Sequence, residues 1–239
     1  MIDKNSKLAK IKNVCSSLHD GDITDSRLCL VEYELRQGFK LMNKHPKSVT
    51  IFGSARLPED NPHSQNATEL ARRLSENGYT IATGGGHGIM GAGNKGAHIA
   101  GGPSIGMNIE LPFEQTVNEY VTESIDFHHF FPRKVALSYS SEAYIYFAGG
   151  FGTLDELFEL LTLKQTGKIP QIPIILFGSE FWQPLEEFFK QVFLRPGHET
   201  ISEKDLDLYV ITDDIDEAVN IVTDAPVRAE VSSRYDDIA

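Results

Sequence analysis

The part of this sequence best suited to chemistry is a glycine-rich stretch that ends in a hydroxyl and a carboxylate. The letters GGFGTLDE occupy 149–156, after an apolar run at 143–147 that predicts a buried strand and before an apolar helix. A strand, a glycine turn and a helix direct backbone N–H groups and a helix N-terminus at one small volume, which favours an anion. Glycines let the main chain approach a phosphate without interference from Cβ atoms. The predicted phosphate cradle consists of Gly149, Gly150, Gly152 and Thr153, with Glu156 one turn into the helix.

The same stretch has a purely structural interpretation. Thr153 and Glu156 have the spacing of a capping box, in which the two side chains satisfy two free N–H groups at a helix start. Such a box needs no ligand. If Glu156 folds back to cap the helix, it cannot also reach a bound sugar.

A second glycine loop, GGGHGIMG at 84–91, follows another apolar run at 79–83. Its last six letters match the dinucleotide fingerprint, and Glu110 lies near the end of the next predicted strand, where a ribose-binding acid is expected. This pattern allows a nicotinamide or flavin oxidoreductase. However, the loop follows the second predicted strand instead of the first, and that hypothesis leaves 149–156 without a role.

The elements that must position these loops alternate along the chain. Short apolar runs predict strands, and amphipathic segments between them predict helices. The pattern predicts an α/β fold: a single Rossmann-like, doubly wound parallel sheet with helices on both faces, plus an N-terminal helical extension. The predicted strands lie at 49–52, 79–83, 104–109, 120–122, 143–147, 172–177 and 208–211. Since ligands bind at the carboxyl ends of such strands, the residues that follow them should converge on one edge.

The chain divides into three predicted segments. Apolar residues at helical spacing predict a helix at about 26–43, within an N-terminal helical extension at 1–46 that carries no recognisable chemistry. Residues 47–225 form the predicted Rossmann-like nucleotide-binding catalytic domain, and 226–239 form a polar C-terminal tail.

Composition excludes several classes of protein. With 41% hydrophobic residues, the 239-residue chain can build a sizeable core. The formal net charge of −12 argues against a sequence-independent nucleic-acid binder, which needs a basic face. Eleven acidic and three basic residues follow position 200, so most of the negative charge lies in that part of the chain. Residues 1–200 are close to neutral and are therefore compatible with a small anionic ligand.

The two cysteines and the N-terminus predict the compartment. Cys15 and Cys29 have the pattern of reduced cytosolic thiols and not of a disulfide framework. The first residues lack the apolar core of a signal peptide, and no run reaches transmembrane length. We therefore expect a soluble, cytoplasmic protein without a membrane partner.

Taken together, the motifs resemble the Lonely Guy (LOG) family. The two glycine loops, the Arg133-Lys134 pair and the GGFGTLDE stretch have the family's types and spacing, although Ala148 replaces the usual proline. The family's bacterial branch is also resembled at 52–56, 108–112, 114–115 and 163–168. The resemblance covers about residues 48–220 and implies a dimer or higher homo-oligomer.

The resemblance implies hydrolysis of the N-glycosidic bond of a nucleoside 5′-monophosphate, such as AMP or a cytokinin ribotide, without a cofactor or a metal. It implies catalytic roles for Glu156, beside the developing positive charge on the ribose, and for Arg133, which holds the nucleotide or assists departure of the base. Position at a helix N-terminus favours the ionised form of Glu156. The expected substrate-binding and phosphate-binding residues are Ser54, Gly85, Gly86, Gly88, Met107, Asn108, Lys134, Gly149, Gly150, Gly152 and Thr153.

Two alternatives remain at this point. A nucleotide or molybdenum-cofactor carrier can use the same crevice without turnover. Lysine decarboxylation requires pyridoxal phosphate on a lysine, and no convincing lysine is found. His128 and His129 are adjacent, but no third metal ligand has a recognisable spacing to them, so a loop role is expected.

Overall fold

A computed structural model describes Ile11, Val14–Cys15 and the ranges 23–111, 116–138 and 141–227. The helices are α1 (Ile23–Asn43), α2 (Pro62–Glu76), α3 (Ile89–Ile99), α4 (Phe130–Ser138), α5 (Phe151–Gln165), α6 (Ser179–Phe188) and α7 (Ile215–Thr223). The strands are β1 (Ser48–Phe52), β2 (Thr80–Thr83), β3 (Ser104–Ile109), β4 (Glu123–Phe127), β5 (Ala143–Tyr146), β6 (Ile174–Phe177) and β7 (Val210–Thr212). A π-turn at Phe189–Phe193 extends α6, and a 3-10 helix at Glu203–Leu208 precedes β7.

The described residues form one parallel sheet in the order β4-β3-β2-β1-β5-β6-β7. The predicted doubly wound fold is confirmed. The chain moves outward from β1 to β4 on one side, and it then returns to place β5 beside β1, with Val49 paired to Ala143. The strand order therefore reverses between β1 and β5, and a crevice for a ligand opens at such a reversal.

Side chains of the central strands enter two separate cores. Tyr144 and Tyr146 of β5 pack on the face covered by α1, α4, α5 and α6, together with Trp182. Ile145 and Phe147 pack on the opposite face, which α2, α3 and α7 cover. Both faces of the strands are buried, which explains why they are continuous apolar runs in the sequence.

The predicted N-terminal helix is confirmed and packs against β4 and α4. At the contact, a Cβ atom added to Gly38 would lie 2.7 Å from Cβ of Ala136. The strand predicted at 120–122 was placed too early, because β4 begins at Glu123. Most of the predicted extension before residue 23 and most of the tail at 226–239 lie outside the described residues, and the predicted domain boundaries stay predictions.

The interpretation of the two cysteines as reduced thiols was wrong. A disulfide joins Cys15 to Cys29, with their Cα atoms 5.7 Å apart. The bond joins residues 14 positions apart, and sequence spacing alone does not show that their Cα atoms lie within bonding range. Within the described ranges, no helix has the length and apolar character needed to cross a membrane.

Candidate active site

Three strand ends meet at the carboxyl edge of the sheet, around Ser54. The Ser54 N–H donates to the carbonyl of Ala148 after β5 (3.0 Å), and the Ser54 carbonyl accepts the N–H of Ile89 at the start of α3 (3.0 Å). Ser54 thus ties the loop after β1 to both glycine loops. The predicted convergence of these segments on one edge agrees with the structure.

The glycine loop at 84–91 approaches this junction so closely that two of its positions have no room for a side chain. Gly88 has φ +64°, and an added Cβ would collide with the carbonyl of Ser54 and the backbone of Ala55. Gly85 has φ +73°, and its missing side chain leaves room for the amide oxygen of Asn108, near the end of β3. The backbone conformation and the close packing therefore require glycine at both positions.

A buried hydrogen-bond network of asparagine side chains supports this loop from the protein interior. The sequence did not predict it. The Asn118 Nδ2 donates to the carbonyls of Gly85 (3.0 Å) and Gly86 (2.9 Å) and to Oδ1 of Asn94 (2.9 Å). Asn94 Oδ1 also accepts the hydroxyl of Thr83 at 2.7 Å. Asn118 lies in a loop and Asn94 on α3, so no local pattern joins them. The sequence around the two residues, GAGNKGA at 91–97 and TVNEYV at 116–121, gives no local signal of this network.

The predicted catalytic pair is assembled by α4 and α5. Arg133 is 8% exposed; its Nε donates to the carbonyl of Met107 at 2.7 Å, and its Nη1 lies 3.4 Å from Oε1 of Glu156. The guanidinium also fills the space beside Gly84, together with the sulfur of Met90. Burial lowers the pKa of Arg133, and the carboxylate of Glu156 partly offsets that effect.

Burial also determines the protonation of Glu156. Desolvation raises its pKa to about 7, although the charge of Arg133 acts in the opposite direction. The expectation that a helix N-terminus favours the ionised form was therefore wrong in its net effect, because desolvation exceeds the helix dipole here. A carboxyl group that titrates near neutral pH can exchange protons during a reaction.

The capping-box interpretation of 149–156 was also wrong. Helix α5 begins at Phe151, and Gly150 is its N-cap residue without a side-chain cap hydrogen bond. Thr153 therefore lies inside the first turn, buried, where its side chain occupies the space beside Gly149. Glu156 is free of a capping role, and its backbone carbonyl accepts the hydroxyl of Tyr146 at 3.1 Å.

Gly150 and Gly152 leave their backbone open. A Cβ added to either glycine would meet no atom within 4 Å, so the space next to the first turn of α5 is accessible to a ligand. The side chain of Phe151, between them, is 93% exposed. Open backbone N–H groups at a helix N-terminus suit an anion such as a phosphate.

Other predicted site residues already have protein partners. Lys134 forms ion pairs with Asp155 (2.8 Å) and Glu159 (3.2 Å), and so joins α4 to α5. The Asn108 Nδ2 donates to Asp126 at 3.0 Å. Glu110 is the acid that the dinucleotide hypothesis expects to bind a ribose. Its carboxylate lies 3.1 Å from Nδ1 of His128, a residue that has no role in that hypothesis. In the part of the chain that is described, no group of three or more candidate ligands could hold a metal ion.

Comparisons with known proteins bear on the family and on the fold. A family model described as possible lysine decarboxylase matches residues 90–222. A cytokinin riboside 5′-monophosphate phosphoribohydrolase of Rhodococcoides fascians is 28% identical over 148 residues, which cover 61% of this chain and 75% of that protein. A probable enzyme of the same name from Arabidopsis thaliana is 32% identical over 138 residues, covering 55% and 67%.

Solved structures share the architecture. The molybdenum cofactor binding protein of Rippkaea orientalis superposes with a TM-score of 0.55 at 21% identity, covering 74% of this chain and 94% of that one. The molybdenum cofactor carrier protein of Chlamydomonas reinhardtii gives a TM-score of 0.54 at 24% identity, covering 74% and 96%. At these identities the likeness establishes the fold alone.

Proposed function

The chain belongs to the LOG family, whose model carries the description possible lysine decarboxylase, and from that premise we propose that it is a nucleoside 5′-monophosphate phosphoribohydrolase. The reaction is hydrolysis of the N-glycosidic bond to free base and ribose 5-phosphate. The observation that carries the proposal is the buried Arg133–Glu156 pair, next to the open backbone of Gly150 and Gly152.

The first turn of α5 is our proposed phosphate site. The N–H groups near Gly150, Gly152 and Thr153 carry the positive end of the helix dipole, and no side chain occupies the space beside the two glycines. Binding a remote phosphate there would fix the sugar in position beside Glu156, one turn along the same helix. Such positioning is a large part of the catalysis that binding energy can supply.

Glu156 then acts on the sugar. Cleavage of a glycosidic bond develops positive charge at the anomeric carbon, and a carboxylate beside it stabilises that charge and orients the attacking water. Since the pKa of Glu156 is raised to about 7, the group is half ionised near neutral pH and can take the proton of that water. The guanidinium of Arg133 contacts both Glu156 and the carbonyl of Met107. Arg133 is our candidate for binding the nucleotide or assisting the departing base.

A decarboxylase role for a buried lysine is less well supported. Lys164 is the natural candidate, because burial lowers its pKa to about 8. However, Lys164 lies eight residues beyond Glu156 on α5, about 12 Å along the helix axis and away from the carboxyl edge of the sheet. Its Nζ donates to the carbonyl of Leu208 at 2.7 Å.

Incubation of the protein with AMP and with a cytokinin ribotide tests the proposal, with free base and ribose 5-phosphate as the measured products. Release of both is expected, and Glu156→Gln should reduce it by about a hundredfold or more, as loss of a general base does. Glu180→Gln, which changes an exposed acid on α6, serves as the control. Tight nucleotide or molybdenum-cofactor binding without any release would instead indicate a carrier.

We further propose a cytoplasmic homodimer or higher homo-oligomer, with the nucleotide as the small-molecule partner. The assembly derives from family membership, whereas the compartment is an expectation from the sequence, and the disulfide removes the reduced cysteines from its grounds. Sedimentation of the purified chain tests the assembly directly.

A further inference from the structure

A completely buried carboxylate lies outside the proposed site and outside the segment matched by the family model. Glu34, on α1, is 0% exposed. Its Oε1 accepts the backbone N–H of His128 at 2.7 Å, and its Oε2 lies 3.1 Å from Nδ1 of His129. Burial of a carboxylate costs several kcal/mol unless hydrogen bonds and charges compensate it, so this arrangement depends on close geometry.

These contacts lie at the start of the helix that carries Arg133. His128 and His129 directly precede α4, which begins at Phe130. A carboxylate at this position meets the positive end of the helix dipole and holds the entering chain through a backbone N–H. Glu34 therefore anchors the N-terminus of α4 from a different helix.

A second contact between the same helices lies farther along. The missing side chain of Gly38 lets α1 approach α4, since an added Cβ would lie 2.7 Å from Cβ of Ala136 and 3.1 Å from the ring of Phe127. In sequence, Arg133 lies between the two contact points, His129 and Ala136. Helix α1 thus contacts the chain on both sides of Arg133.

We propose that Glu34 is a positioning residue for the reaction, which holds α4 where Arg133 reaches both Met107 and Glu156. This inference rests on the proposed function. The guanidinium makes its two contacts at 2.7 and 3.4 Å, and a helix displaced by about 1 Å would break one of them. The N-terminal helix, on this view, is part of the catalytic unit and not an appendage.

Two variants separate positioning from simple stability. Glu34→Ala removes both acceptors and is expected to lower kcat/KM for AMP by about tenfold to a hundredfold, which is the scale of a small misplacement. Glu34→Gln keeps an oxygen for the His128 N–H and should recover activity to within about threefold of the wild type. Glu32→Ala is the control, because Glu32 is an exposed acid on the same helix that pairs with Arg36. If Glu34→Ala does not fold, Glu34→Asp replaces it, with an expected loss of about tenfold.

Hydrogen exchange provides a readout that does not depend on activity. The amides of residues 130–134 should exchange faster in Glu34→Ala than in the wild type, whereas those of α5 should not. A folded Glu34→Ala with wild-type kcat/KM and unchanged exchange in α4 overturns the inference. If the wild type hydrolyses no nucleotide, the proposed function fails, and the exchange comparison still decides whether Glu34 holds α4.

Discussion

The guanidinium of Arg133 lies 3.4 Å from the carboxylate of Glu156, and the two side chains are only 9% and 14% exposed. They are 23 residues apart in sequence and lie on two different helices. Desolvation opposes the charge on both groups, and each partner offsets part of that effect in the other. We therefore propose the pair as the source of acid–base chemistry near neutral pH, beyond its role as an ion pair.

The pH dependence of hydrolysis follows from this pair. In the proposed mechanism the ionised form of Glu156 is active, and since its pKa is raised to about 7, kcat/KM should rise between about pH 6 and 8 and level off above. Arg133→Gln removes the charge that lowers this pKa, so the midpoint should move to higher pH in any residual activity. Initial rates across buffers of constant ionic strength measure both. A profile that falls through this range would contradict the role of the carboxylate.

Gly152→Ala should separate stability from binding. Position 152 is in the first turn of α5, and the added methyl group meets no atom within 4 Å. Alanine is the better helix former, so the free energy of unfolding should rise by about 0.5–1 kcal/mol. The same methyl group would obstruct a phosphate on the backbone and should raise KM for AMP about tenfold or more. Denaturant unfolding measures the expected rise in the free energy of unfolding, and steady-state kinetics measure the expected rise in KM. The exposed Thr162→Ala is the control. An unchanged KM would remove this turn from the phosphate site.

Asn118→Ala should loosen the glycine loop at 84–91. The change removes the donor to the carbonyls of Gly85 and Gly86 and leaves Asn94 without one partner. Buried groups that lose a hydrogen bond cost about 1–3 kcal/mol, so unfolding should become easier by that amount, and KM should rise. The exposed Asn220→Ala tests whether loss of any asparagine has this effect. Equal stability of the two variants would show that the network is not structural.

The lowered pKa of Lys164 predicts that the free energy of unfolding depends on pH in the alkaline range. Its pKa falls from 10.5 to about 8 on folding, so the unfolded chain binds more protons between these values and stability from this group increases as pH rises through them. Although the side chain is buried, its ammonium group keeps a hydrogen bond to the carbonyl of Leu208, so the expected gain is on the order of 1–2 kcal/mol, below the full value of the shift. Lys164→Met should abolish this increase. Denaturant unfolding of both proteins between about pH 7.5 and 10.5 measures the difference, and parallel curves would argue against the lysine.

Much of the fold is determined by local patterns in the sequence. Residues 143–147 are continuously apolar because both faces of β5 are covered, and the glycines at 84–88 and 149–152 follow strands whose ends meet at one edge. These signals predicted the parallel sheet, the confirmed family and the clustering of the candidate residues. They work because strand and helix periodicity depend on neighbouring residues.

Only the tertiary structure decided what depends on distant contacts. The start of α5 at Phe151 excluded a capping box, and the burial of Glu156 reversed the expected effect on its pKa. The disulfide between Cys15 and Cys29 and the amide network of Asn118 likewise join segments with no common local pattern. Desolvation and long-range hydrogen bonds are set by what packs around a group, and that information is spread over the whole chain and is not contained in any motif.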